Sequence, residues 1–169
     1  MNNFVKTLEQ WMGMSDAVWE RHAHPASGWS RMPVLPVMAL CMWSRVWLGW
    51  WALLPIAVVF LWIWLNPRVF SIPESTDNWM SKGVLGERVW LNRKQIPIPK
   101  HHITIANLLN LLAGVGLIPT VVGLIQLNFW MTVAGISVTM IAKLWFLDRM
   151  IWLFDDMKDR HKEYLKWLR

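Results

Sequence analysis

The chain has 169 residues, 55% of them apolar and only 17% charged, with 15 tryptophans and a formal net charge of +6. One domain fits this length. The charged residues avoid two stretches, 46–65 and 103–142, the pattern of membrane spans of roughly 20 residues. The basic excess is then better matched to anionic lipid headgroups than to nucleic acid.

In chain order, residues 4–19 place Phe4, Leu8, Trp11 and Val18 near one helical face, with Lys6, Glu9, Gln10 and Asp16 mostly elsewhere. This predicts an amphipathic helix lying in the membrane interface, within residues 1–24. Glu9, Asp16 and Glu20 interrupt any apolar core, so the segment is not expected to be a cleaved export signal. Pro25 is expected to stop the helix, with Ser27 and Gly28 in a loop.

Residues 31–66 read RMPVLPVMALCMWSRVWLGWWALLPIAVVFLWIWLN. As one straight helix this would measure about 50 Å, against a ~30 Å hydrocarbon core. It would also bury Arg45 near its middle, at a cost of about 2.5–3.5 kcal/mol or more. A turn near Leu48-Gly49 resolves both problems and predicts a hairpin of two short spans, about 32–47 and 50–65. The alternative is one tilted helix with Arg45 held against a partner. Trp43, Trp47, Trp50 and Trp51 surround the expected turn, and Trp62 and Trp64 sit at the other end. Tryptophan favours both interfaces, so this spacing supports the hairpin. Cys41, the single cysteine, cannot form an intrachain disulfide. Nothing therefore argues for an oxidising compartment.

Asn66 is expected to cap the second span, Pro67 to stop it, and Arg68 to meet headgroups and the negative end of the helix. Residues 66–102 read as a polar loop that hugs the membrane, rich in Pro and Gly. Ser75 or Thr76 can start a short helix through Ser81, ended by Gly83. QIPIPK should be extended, because each proline disfavours helix before it. A second hairpin follows over 103–148, with spans at about 103–126 and 129–148 and a tight turn at Asn128. Gly114, Gly116, Gly123, Gly135, Ser137 and Thr139 offer close helix contact, and Lys143 can snorkel. The tail, 149–169, carries an apolar stripe of Ile151, Phe154, His161, Leu165 and Leu168.

The expected fold is thus an all-α integral membrane protein of one domain. It has four short transmembrane helices in two hairpins, an interfacial N-terminal helix, a loop and a helical tail. Residues 1–31, 67–102 and 149–169 carry three, six and six Lys/Arg, whereas the two short turns share Arg45. The positive-inside rule puts both termini and the large loop in the cytoplasm, with the chain in the cytoplasmic (inner) membrane.

Candidate chemistry is sparse. His22, His24, His101, His102 and His161 all fall on the expected cytoplasmic side. His22, His101 and His102 with Glu87 can form a transition-metal site, and Glu20, Asp155 or Asp156 are further carboxylates. No metal-ligand signature is completed, and the plainer reading is structural or interfacial histidine. No histidine lies in a span, so an axial ligand for an intramembrane haem is missing, and no cofactor is expected. Trp43, Trp47, Trp50, Trp51, Trp62 and Trp64, with Arg31, Arg45 and Arg68, read as contacts to lipid or a partner. Asn107 and Asn110 read as bonds to a neighbouring helix. Glu87 can pair with Arg21 or Arg31. Nucleophile elbows, phosphate-cradling loops and dinucleotide fingerprints are absent.

WERHAHP, WSRVWLGWW, NPRVF and GERVW occur in this order. With them the chain resembles an uncharacterised family of small prokaryotic multi-span membrane proteins, catalogued as a domain of unknown function. The resemblance spans roughly residues 11–155 and implies a shared multi-span fold without an activity. In that family the position of His24 is often Asn, which implies His22 as the better ligand. The functional expectation is a non-enzymatic accessory or assembly subunit of a larger respiratory or photosynthetic membrane complex. A membrane-surface metal enzyme, and a small transporter or lipid-binding protein, stand behind it. The expected partners are the lipid bilayer and other membrane subunits, with no nucleic acid.

Overall fold

The structure, a computed structural model, describes residues 14–169. Most of the expected interfacial helix lies outside the described residues. Its last part is α1, Asp16–His22, followed by α2, Pro25–Arg31. The first helix ends just before Pro25, but Pro25 at once starts another, and Ser27 and Gly28 lie inside it rather than in a loop. Pro25 occupies the first helical turn, where its missing N–H costs nothing, and His24 caps it by accepting the Ala26 N–H at Nδ1, 3.1 Å.

Three segments are long and apolar enough to cross a membrane: Pro25–Val69, Lys100–Gln126 and Phe129–Lys158. The first is not straight. Helix α3, Val34–Trp43, is followed by α4, Arg45–Leu48, and by a 3₁₀ turn at Gly49–Ala52 before α5, Leu53–Val69. Gly49 adopts φ 53°, ψ −129°, a conformation costly for any residue with a Cβ. The chain reverses there, and α5 packs back on α3, α2 and α1. A second hairpin follows. Helix α7, Lys100–Gln126, is joined to α8, Phe129–Lys158, by Leu127 and Asn128. Asn128 caps α8 by accepting the Met131 N–H at 3.1 Å. Arg45 bridges the two turns by donating to the Leu124 and Ile125 carbonyls at the end of α7.

Between the hairpins runs α6, Trp79–Leu91, longer and later than the expected 75–81 segment. Its cap is Asn78, whose Oδ1 accepts the Ser81 N–H at 2.9 Å. Gly83 does not end it. A Cβ on Gly83 would meet the Leu147 side chain at 2.7 Å, and one on Gly86 the Met150 carbonyl oxygen at 1.8 Å. These glycines are contact points that let α6 lie directly on α8. Residues 97–99 carry no helix, as the prolines dictate.

The water-excluding core sits at one end of the molecule. Trp19, Leu85, Val89, Trp90, Phe146, Met150, Leu153, Phe154, Met157 and Tyr164 form it. At 30 residues α8 is about 45 Å long, more than a ~30 Å bilayer core needs. Its far part therefore builds this polar-end layer with α1, α6 and α9, Lys162–Leu165. The first part of the tail continues α8 as far as Lys158, and the chain beyond it folds back. Of the expected stripe Phe154 is buried, but beyond Lys158 the buried residue is Tyr164 rather than Leu165. Arg169 N–H donates to Thr76 Oγ1 (2.9 Å), and the Thr76 N–H to the Arg169 carbonyl (3.0 Å). In the apolar 18-residue stretch of each segment only 11%, 28% and 28% of the residues are buried within the chain. Most of their apolar surface is thus left uncovered by the described residues.

Candidate functional site

A cavity of about 520 Å³ lies where the first hairpin is loosely joined to the second. Such a volume falls within the range of ligand sites. Its walls come from α1 and α2, the start of α3, α6 and the middle of α8. Met32, Met80, Met140 and Leu35 make it largely apolar. Methionine gives such a wall an adaptable shape.

Four ionisable side chains line it: His22, Arg31, Glu87 and Lys143. Arg31 Nη1 lies 2.5 Å from His22 Nε2, and its Nε donates to the Ser27 carbonyl at 3.1 Å. A guanidinium can only donate, so His22 accepts at Nε2 and carries its proton on Nδ1. That Nδ1 is buried and has no partner among the described residues. Burial first, and then Arg31, push the His22 pKa down from 6.5 to about 3, with Glu87 partly opposing. The ring is therefore neutral at any physiological pH. Burial pushes the Glu87 carboxyl up, but Lys143 and Arg31 overcome this and hold it below its ordinary value. Its ion pair is with Lys143, 3.2 Å from Nζ to Oε1, rather than with Arg21 or Arg31. Lys143 thus does more than snorkel: it ties α8 to α6, with its ammonium 4.5 Å from the Phe146 ring centroid.

Two of the expected metal ligands lie elsewhere. His101 and His102 stand in the first turn of α7, ring centroids 4.1 Å apart. His102 Nε2 meets Asp156 Oδ2 on α8 at 2.8 Å. The ligand atoms of His101, His102 and Asp156 all lie within 4.8 Å of one another. The expected set of four is therefore divided: His22 and Glu87 in the cavity, and the His101-His102 pair on Asp156.

Comparison with known families adds one result. A model of the "Family of unknown function (DUF6653)" matches residues 5–166. The chain belongs to DUF6653. No curated protein and no solved structure matches it. The match agrees with the resemblance in one respect, a domain of unknown function that covers most of the chain, and brings no activity.

The other expected site residues of this DUF6653 chain are distributed as follows. Trp47, Trp50, Trp51 and Trp64 are exposed, and Trp43 and Trp62 half-buried. Arg68 lies over the Trp64 ring at 4.2 Å and donates to its carbonyl. Arg31 faces the cavity. His24 serves as a helix cap, a role Asn fills equally well. Asn66 does not cap α5, which continues through Pro67 to Val69. It is fully buried instead, accepting from Ser27 Oγ (2.7 Å) and donating to Ser30 Oγ (2.8 Å). Sequence reasoning passed over Lys143 as a site residue. The available signal was a lysine that follows fourteen uncharged residues of α8, since intramembrane charges are costly and commonly functional.

Proposed function

We propose that this chain is a non-enzymatic membrane protein whose cavity holds one anionic amphiphile. The carrying observation is the union of an apolar, methionine-lined wall with Arg31, Lys143 and the unpartnered His22 Nδ1. Two cations against Glu87 leave one net positive charge, which suits a single phosphate or carboxylate head. The His22 N–H offers that head a further donor. The walls reach along α8 from Leu147 to Thr139, roughly 12 Å of helix, enough to take part of an acyl or isoprenoid tail.

The membrane arrangement behind this reading is four spans in two hairpins. The reversal at Gly49 and the Arg45 bridge between the two turns support it. The Lys/Arg distribution puts the polar-end layer and both termini in the cytoplasm. The cavity then opens at the inner leaflet of the cytoplasmic membrane, where anionic lipids are found.

The test is native mass spectrometry of the chain released from mild detergent. One anionic lipid retained per chain is expected, and an Arg31→Gln, Lys143→Met variant should lose it. Equal retention of zwitterionic lipid, or unchanged retention by the variant, would overturn the proposal.

A second reading makes the chain an accessory or assembly subunit of a larger respiratory or photosynthetic complex. Asn107 and Asn110 favour it. Both are exposed on α7 instead of bonding to α8, and an amide in hydrocarbon is best satisfied by another helix. Its test is native mass in mild detergent from the source membrane. A hetero-complex supports it, and a free chain or small homo-oligomer removes it.

A further inference from the structure

We infer that His101, His102 and Asp156 form a binding site for one first-row divalent transition-metal ion, which clamps the start of α7 to the end of α8. The inference is independent of the amphiphile cavity and uses none of its residues.

Three observations meet here. The first is composition: two imidazoles and one carboxylate are ligands that suit Zn, Fe and Mn. Three protein ligands with open positions for water are also a common set for such ions. The second is proximity. One donor atom from each residue lies within 4.8 Å of the others, so modest rotamer changes bring all three onto one ion at ~2.0–2.2 Å. The third is how the residues are presented. His102 is buried at 6% exposure, whereas His101 and Asp156 are exposed. One ligand is thus fixed by the helix contact, and the other two leave an entry path for the ion.

The fold explains why adjacent histidines can share an ion. They stand in the first turn of α7, directly after the extended 97–99 segment and its Pro99 cap. There the ring centroids lie 4.1 Å apart with the two planes tilted by 40°. Asp156 arrives from the antiparallel α8, beyond the apolar part of that helix. A site of this kind is a cross-link between the two ends of the second hairpin. Binding transfers no electron: the ion takes lone pairs from imidazole nitrogens and a carboxylate oxygen, and any ring proton displaced goes to solvent.

The experiment uses the full chain in mild detergent, purified through a tag free of histidine and stripped with a chelator. It is titrated with Co²⁺, and the visible ligand-field absorption is followed. Saturation at one Co²⁺ per chain is expected. His102→Gln and Asp156→Asn should abolish the saturable band, and His22→Gln should leave it intact. Should His102→Gln fail to fold, His101→Gln serves in its place, because that side chain is exposed. No saturable band in the wild-type chain would overturn the inference. So would an unchanged band in folded His101→Gln, or loss of the band in His22→Gln.

Discussion

Ser27 and Asn66, 39 residues apart, share a fully buried hydrogen bond of 2.7 Å. A straight helix would separate them by about 58 Å. This contact decides how residues 25–69 are arranged: they leave the polar-end layer and return to it. We predict that Ser27→Cys and Asn66→Cys, in a Cys41→Ala background, cross-link on mild oxidation in membranes. Absence of the cross-link, with both cysteines still labelled by a maleimide, would restore the single tilted helix.

The same buried network has an energetic signature. Asn66→Leu leaves the Ser27 and Ser30 hydroxyls without their amide partner. A loss of about 1–3 kcal/mol is expected, read as a lower unfolding midpoint in detergent. A stability equal to wild type would show that the hydroxyls find other partners.

Glycine substitutions should separate contact from open surface. At Gly86 a Cβ would strike the Met150 carbonyl oxygen, a backbone atom that can only yield by moving α8. Gly86→Ala is expected to cost about 3 kcal/mol, at the upper end for overpacking. At Gly114 a Cβ meets nothing within 4 Å, so Gly114→Ala should leave stability equal or slightly higher. The ordering of the two variants by thermal unfolding is the check.

His22 gives a pH dependence with a defined sign. The unfolded chain protonates this residue near 6.5, whereas in the folded chain burial and Arg31 hold its pKa at about 3. Between those values the unfolded state binds more protons. The contribution is therefore complete above pH 6.5, falls as the pH drops toward 3, and levels off below. Its full size is about 4–5 kcal/mol. In His22→Gln, which keeps an acceptor for Arg31, stability should fall less steeply between pH 6.5 and 3 than in wild type. Parallel profiles would mean that His22 is not held neutral.

The tail offers a paired comparison. Tyr164 has no exposure and its hydroxyl lies 3.4 Å from Asn92 Nδ2, whereas Leu165 is 43% exposed. Tyr164→Ala should cost about 3–5 kcal/mol and Leu165→Ala within about 0.5 kcal/mol. Equal losses in denaturant unfolding would place the tail differently.

The sequence by itself determined much of the scaffold. Two charge-free runs, helix as their only economical form in lipid, and the breaks at Gly49 and Asn128 follow from residue chemistry that acts locally. So does the break at 97–99, where each proline disfavours helix in the residue before it. The tertiary structure decided what each ambiguous residue is for. Gly83 and Gly86 have the same local preference whether they end a helix or admit a neighbour, and only the arrival of Leu147 and Met150 selects the second. Asn66 and Lys143 are likewise ambiguous until partners 39 and 56 residues away are in place. The candidate sites were half legible for the same reason. The ligand types, His22, Glu87, His101 and His102, can be read from composition. Their division between an apolar cavity and a His-His-Asp cluster comes from how α6, α7 and α8 pack, which no local pattern encodes.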